Sequence, residues 1–469
     1  MAAVGMLLAA GGSGAAEETV SFGRFRKVVV LRPPGAPREA VLLLSGEAGW
    51  GAGERQLAEP LVARGALVVG VDTPAYLRAL GGKTCGYPAG DLESLSHFVQ
   101  KKEALPDYLR PGVVGQGAGA ALAYASLAQA PENTFTGAVG LGFSPELRMP
   151  GRLCAQGGLV RQRTADGRGE RFSAPKALSA PWHLLVGERD TVFPAERART
   201  FFQGVARVEV TGVPGVGRPL ASPAAWRDAL LPAEAALSVR AAPPPPVTRE
   251  KSPEGVALVD VSDLPLVEVP ASGKQGDTLA VFLSGDGGWA GIDQGVSAVL
   301  VAEGIPVVGW DSLRYFWKRR TPEETAKDLG RVMAHFLGAW KKQRVLLVGF
   351  SQGADVLPAV GARLAPEARR AVRALVLIAP GRLAELEVHV LGFVGGGGGD
   401  PILPEVKTLG GLPLVCVYGS EEADETLCTQ LADVPGAHGV KLEGGHHLGG
   451  DYTAVGRALL EPLREPPPP

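Results

Sequence analysis

The chain has 469 residues, 45% of them hydrophobic and 20% charged, with a net charge of -2 at pH 7. That length suits two ordinary domains or one large one. The near-neutral balance and the absence of a long basic run argue against nucleic acid as a partner, and no apolar run reaches the roughly 18 residues of a membrane-crossing helix.

The N-terminus, "MAAVGMLLAAGGSGAAEETV", is a short apolar run followed by small residues. It resembles the apolar region and cleavage site of an export signal, with Ala15-Ala16 at its end, although it lacks a Lys/Arg n-region. Residues 1–18 are therefore expected to be a signal remnant. A first domain is expected over 19–238, a proline-rich linker over 239–256, and a second domain over 257–465. The linker contains "AAPPPPVTREKSPEG", which has no apolar periodicity.

The two halves resemble one another. "LLSGEAGWGAGERQLAEPLVARGALVVGVD", from Leu43, aligns without a gap with "FLSGDGGWAGIDQGVSAVLVAEGIPVVGWD", from Phe282. Each reads as a buried strand, a glycine turn, an amphipathic helix and a second buried strand. Farther on, Thr321-Pro322-Glu323-Glu324 is a capping box with proline at the first helical position. Leu329, Val332, Phe336 and Trp340 then make one apolar face. "RVLLVGF", "ALVLIAP", "LPLVCVYG" and "GVKLEGG" read as further strands. Strands alternating with helices predict two tandem α/β-hydrolase-like domains, each a mostly parallel sheet with helices on both faces.

The second half carries Gly349-Phe350-Ser351-Gln352-Gly353 between a strand and a helix. With 65 glycines in the chain, G-x-S-x-G alone is weak, but its strand-turn-helix context is that of a nucleophile elbow. A serine hydroxyl needs a base, and the base needs an orienting acid, in the chain order Ser, Asp/Glu, His. His446 and His447 lie among glycines after the last strand; His446 is the expected base and His447 the alternate. The acid is expected in "SEEADETLC", with Asp424 first choice because aspartate is the commoner partner. Glu422 is the alternate, placed by register with "GERD" and Asp190 of the first half. Oxyanion donors are expected from the Gln352 amide and from Asp286 or Gly287 in "LSGDGG". No metal or cofactor is expected.

The first half has Gly115-Gln116-Gly117-Ala118-Gly119 at its elbow and no histidine in "VTGVPG". The serine and the histidine are missing together, so this domain is expected to be a catalytically inert copy. The cysteines, Cys85, Cys154, Cys416 and Cys428, fall two in each half and form no C-x-x-C. They suit one disulfide per domain in an oxidising compartment, with four free thiols as the alternative. A Cys416–Cys428 bond would clamp the acid loop.

"LSGDGGW", "GWDSLRYFW", "VGFSQGADVLP", "VYGSEEADETLC" and "LEGGHHLGGDY" together resemble the VirJ/AcvB family of bacterial virulence-associated proteins. The likeness covers essentially the whole second domain, and the two-copy arrangement with "TCGYPAGDLESLSHF" is similar to the longer AcvB form. The resemblance implies export to the periplasm and hydrolysis of the aminoacyl ester of lysyl-phosphatidylglycerol. It also implies an association with type IV secretion for the shorter members. The glycine run Gly395–Gly399 departs from the family, in a segment where such folds carry lids.

A lysyl ester is cationic, which gives Asp286, Asp311 and Asp355 an expected role as ammonium ligands. "LRYFWKRR" interleaves aromatics with Lys318, Arg319 and Arg320, a pattern suited to peripheral contact with anionic lipid. The alternative function, from another class, is a non-catalytic periplasmic binding or scaffold protein with a secretion-system partner. A hydrolase of some other ester or of a peptide is a third reading.

Overall fold

A computed structural model of the chain describes residues 17–81, 85–155, 157–218, 223–240, 258–271, 276–388 and 399–464. The chain divides into two compact units, the first ending at Ala242. Most of the expected signal and linker residues, and the lid segment up to Gly398, lie outside the described residues. Two expected boundaries move. Glu17 and Glu18 already pair with Leu31 and Val30 in the first sheet, and the last helix of the first unit, Pro223–Arg240, runs two residues past 238.

In the main sheet of the first unit the strands are β1 (Glu17–Phe22), β2 (Phe25–Leu31), β3 (Glu39–Leu44), β4 (Ala66–Val71), β5 (Pro111–Gln116), β6 (Gly137–Leu141), β7 (Trp182–Gly187) and β8 (Val208–Val213). They order as β1-β2-β4-β3-β5-β6-β7-β8, with only the β1–β2 and β2–β4 pairings antiparallel. In the second unit they are β9 (Leu266–Val269), β10 (Thr278–Leu283), β11 (Val307–Trp310), β12 (Arg344–Phe350), β13 (Val372–Ile378), β14 (Leu414–Gly419) and β15 (Ala437–Leu442), ordered β9-β11-β10-β12-β13-β14-β15. Here the β9–β11 pairing is antiparallel and the rest are parallel. Both are α/β-hydrolase sheets, as expected from the alternating strands and helices.

Burial on both faces explains why these strands read as unbroken apolar runs. In β10, Leu279, Val281 and Leu283 pack on one side of the sheet while Ala280 and Phe282 pack on the other. The first sheet does the same: Leu42 and Leu44 of β3 face one core, and Val41 and Leu43 the other.

The helices start where local chemistry says they should. The first-unit helix α1 (Ala52–Ala63) has Glu54 reaching back to the Gly51 N–H at 2.9 Å. Its second-unit counterpart α2 (Gly291–Ala302) has Asp293 on the Ala290 N–H at 3.0 Å. The Thr321–Glu324 capping box forms at 3.0 and 3.1 Å and opens α3 (Pro322–Ala339). Leu329, Val332 and Phe336 of that helix are buried, and Trp340, just past its end, packs beside them. No helix among the described residues is long and apolar enough to cross a membrane.

One packing device recurs in both units. The indole of Trp289 lies flat over β11 at Gly309, where an added Cβ would meet ring atoms at 2.6 Å; Trp50 covers Gly70 of β4 in the same way. Gly309→Ala is therefore expected to destabilise the second unit by about 1–3 kcal/mol through overpacking. Gly330→Ala, in α3 with no neighbour within 4 Å, is expected to be neutral or to stabilise by up to about 1 kcal/mol. Calorimetric melting of both variants checks the pair.

Candidate active site

The site is built from the C-terminal ends of β10, β12, β14 and β15. β12 stops at Phe350, and Ser351 turns the chain sharply with φ 50° and ψ -122° before a helix, Gln352–Ala362, begins. A positive φ is strained for a serine. It is held by the Ser351 N–H donating to the Ile378 carbonyl at 3.0 Å and by the Ser351 carbonyl accepting the Asp355 N–H at 2.9 Å.

The flanking glycines are steric requirements. A Cβ on Gly349 would meet Ala354 N at 2.6 Å, and one on Gly353 would meet the Ser284 carbonyl at 2.6 Å. The helix can start that close to two strands only because both positions lack side chains.

His446 Nε2 lies 2.9 Å from Ser351 Oγ, and His446 Nδ1 lies 3.1 and 3.3 Å from the two Glu422 oxygens. An ionised carboxylate only accepts, so Nδ1 carries the ring proton and Nε2 is left to accept from the serine O–H. That is the arrangement in which a serine loses its proton as it attacks a carbonyl. The Phe350 ring, 5.3 Å from the imidazole centroid, packs alongside it.

The structure corrects the first choice of acid. Glu422 ends a short 3₁₀ turn, Ser420–Glu422, directly after β14, and its carbonyl accepts the N–H groups of Glu425 and Thr426. Glu422 lies against the histidine at the end of that turn, while Asp424 is exposed. Asp190 of the first unit occupies the same register, three residues beyond Gly187 as Glu422 is beyond Gly419. The longer glutamate reaches the imidazole from the place that register marked. His447, the alternate base, is offset: its ring centroid lies 5.8 Å from that of His446.

The acid and histidine loops are stitched together. Glu421 N–H donates to the Gly444 carbonyl at 3.0 Å, and the Gly444 N–H donates to Ser420 Oγ at 3.2 Å. Disulfides join Cys416 to Cys428 and Cys85 to Cys154, one in each unit. The first of these bonds closes a loop of 12 residues around Glu422, restricting the acid loop before and after folding.

Two sources of N–H converge on the serine. Gln352 is the first residue of its helix, so its amide has no intrahelical acceptor. The Gly285–Gly288 turn uses only the Gly288 N–H, donated to the Gly285 carbonyl at 3.1 Å. The amides of Asp286 and Gly287 are thereby left outside the turn bond. A Cβ on Gly285 would lie 3.4 Å from Ser351 Cβ, so this turn runs directly beside the nucleophile. The Gln352 side chain, whose role the sequence did not reveal, donates to the carbonyls of Glu385 and Glu387 at 3.2 and 3.3 Å. It ties the elbow to the 381–388 segment, which has no periodic pattern to betray it.

The three expected ammonium ligands separate. Asp311 caps the short helix Ser312–Tyr315 through the Arg314 N–H at 3.1 Å. Asp355 accepts the Gly381 N–H at 2.7 Å. Burial, with Asp286 and Glu385 adding to it and the Gly381 N–H opposing it, leaves the Asp355 carboxyl pushed up to about 8. Both carboxylates are thus engaged by backbone N–H groups of the scaffold. Asp286 is exposed at the elbow.

The aromatic-basic segment also reads differently in three dimensions. Tyr315, Phe316 and Trp317 are buried in the unit's own core, and Arg320 stacks on the Tyr315 ring at 4.7 Å. The rings are committed to packing, which removes the apolar half of the expected lipid contact.

Residues 277–466 match the family model described as bacterial virulence protein (VirJ). The family resemblance carried by the sequence motifs holds over that span. No curated protein matches the chain. Among solved structures, the chain is similar to "Thermogutta terrifontis esterase 2 phosphoramylated by tabun", at 17% identity over 48% of this chain and 95% of that one, with a TM-score of 0.32. It is also similar to an esterase domain from a Rhodothermus marinus protein, at 12% identity over 48% and 97%, TM-score 0.31. A third is a proline iminopeptidase from Mycobacterium smegmatis, at 12% identity over 42% and 94%, TM-score 0.32.

The Asp355 carboxyl sets a pH signature. Its folded value near 8 lies above the ordinary aspartate value of about 3.9, so the folded state holds a proton that the unfolded chain has lost. Stability is therefore forfeited as pH rises from about 4 to about 8. Asp355→Asn keeps an acceptor for the Gly381 N–H and removes that penalty. Its melting temperature relative to wild type is expected to rise with pH across this window and to level off above it. Calorimetry at pH 5 and pH 8 checks the sign.

Proposed function

We propose that the second unit is an exported serine hydrolase that cleaves the aminoacyl ester of lysyl-phosphatidylglycerol, with Ser351 as nucleophile, His446 as base and Glu422 as its orienting acid. The observation that carries the reading is the continuous hydrogen-bonded line from Ser351 Oγ through His446 to Glu422. The substrate class is the one implied by the family resemblance of the sequence motifs, and the two disulfides suit an oxidising, periplasmic setting.

In this reading Ser351 Oγ attacks the ester carbonyl as its proton passes to His446 Nε2, and Glu422 stabilises the imidazolium. The tetrahedral oxyanion takes N–H donors from Gln352 and from Asp286 or Gly287. His446 then returns the proton to the departing headgroup oxygen. A water, deprotonated by the same nitrogen, releases lysine from the acyl-enzyme and restores the serine. The Asp286 carboxylate, exposed beside the nucleophile, is the residue left to attract the substrate ammonium groups.

A non-catalytic binding or scaffold role, with a secretion-system or lipid partner, is the second reading; it draws on the first unit, which keeps this fold without a serine at its elbow.

Lysine release from lysyl-phosphatidylglycerol vesicles tests the first reading. Ser351→Ala is expected to abolish turnover, and Glu422→Gln to cut kcat by about 10²–10⁴-fold. Asp424→Asn should stay within about threefold of wild type; the reverse ranking of the two acids would refute the assignment of Glu422. Asp286→Asn is expected to lower kcat/KM for the lysyl ester about tenfold while changing that for a neutral acetyl ester much less. Equal losses on both esters would remove Asp286 from cation recognition.

A further inference from the structure

The first unit keeps the elbow geometry but has refilled its site. Gly117 stands between β5 and the helix Ala118–Gln129 with φ 52° and ψ -115°, nearly the values of Ser351. Its N–H donates to the Leu141 carbonyl at 2.9 Å, as that of Ser351 does to Ile378. The Glu47 carboxylate, at the position equivalent to Asp286, lies over this glycine. A Cβ on Gly117 would meet Glu47 Oε1 at 2.9 Å and Cδ at 3.0 Å, so the carboxylate occupies the space of a serine side chain.

The histidine loop has been refilled as well. After β8 it supplies Arg218, whose Nε lies 3.4 Å from Asp190 Oδ2. Asp190 sits at the acid position, its side chain 1% exposed, with Oδ1 accepting the Val192 and Phe193 N–H groups at 2.8 and 3.1 Å. The triad-like set here is glycine, arginine and aspartate. Arg218 Nη2 is buried with no hydrogen-bond partner.

Glu47, Gly117 and Arg218 line a cleft of about 510 Å³ that also takes in Arg78, Ser144 and Arg148. That volume falls in the range of small-molecule sites. Its charge balance is positive. Of the two lining acids, Glu146 is paired with Arg171 outside the cleft at 2.6 Å, while among the described residues Arg148 has only Asp166, 4.0 Å away, as an ion-pair partner.

We propose that this cleft binds a small organic oxyanion, a carboxylate or a phosphate monoester, held by the guanidinium groups of Arg218, Arg78 and Arg148. A planar guanidinium matches both kinds of oxyanion. Arg218 is already oriented by its buried aspartate and keeps part of its side chain exposed to the cleft. Glu47 supplies an acceptor for a hydroxyl or ammonium on the same ligand. The first unit is thus a receptor on a hydrolase frame, with its reactive groups exchanged for charged ones.

Isothermal titration of the full chain with glycerol phosphate and, separately, with succinate tests this. At least one probe is expected to bind wild type, and Arg78→Gln with Arg148→Gln, both at exposed positions, to weaken it about tenfold or more. Arg218→Gln is expected to do the same, and the exposed pair keeps the test decisive if that variant fails to fold. Preference for glycerol phosphate identifies a phosphate ligand, and preference for succinate a carboxylate; either supports the assignment. Failure of both probes to bind at millimolar concentration, or binding that neither the double variant nor Arg218→Gln weakens, overturns it.

Discussion

Everything at the candidate site hangs on one backbone constraint, the positive φ of residue 351. A serine held there costs on the order of 1–3 kcal/mol, and the surrounding parallel sheet supplies the hydrogen bonds that enforce it. The strain lifts Oγ out of the sheet at the point where a strand ends and a helix begins. It also places the Gln352 amide beside the hydroxyl. Gly349 and Gly353 are consequences of the same constraint, because the helix must start within van der Waals contact of β10 and β12. The base and acid come from two other strand ends, kept in reach by direct hydrogen bonds between their loops and by the Cys416–Cys428 disulfide.

The two units separate fold from chemistry. The backbone at Gly117 reproduces that at Ser351 to within 10° in φ and ψ, and the sheet order is shared from the second strand of the first unit onward. The side chains at the equivalent positions differ in kind: glycine under a carboxylate in place of serine, and arginine in place of histidine. A frame that orients three strand ends holds a serine–histidine–glutamate line in one unit and a guanidinium–carboxylate pair in the other. Function must therefore be argued from the groups mounted on the fold and not from the fold itself.

How much of this was legible in the sequence varies with the physics involved. The two sheets were, because a strand buried on both faces must be apolar throughout, and the gapless match from Leu43 to Phe282 exposed the repeat. The serine and the histidine loop were legible for the same reason: both need glycines in a fixed order along the chain. The acid was harder. Choosing Asp424 by residue preference failed where register with Asp190 pointed to Glu422, since a 3₁₀ turn decides which of several carboxylates faces inward. The burial of Tyr315 and Phe316 was hidden because a four-residue helix is too short to display a period. For Asp311 and Asp355 the sequence left an ammonium ligand and a cap or turn residue equally open, and the structure shows a backbone N–H on each.

The central claim is that Ser351 is an activated nucleophile. The most direct measurement is reaction of the full chain with a fluorophosphonate, followed by intact mass and peptide mapping. The account predicts a single adduct on Ser351, absent in Ser351→Ala and strongly slowed in His446→Ala. A folded protein that takes no adduct, or takes one elsewhere, would contradict it and return the second unit to the class of binding proteins.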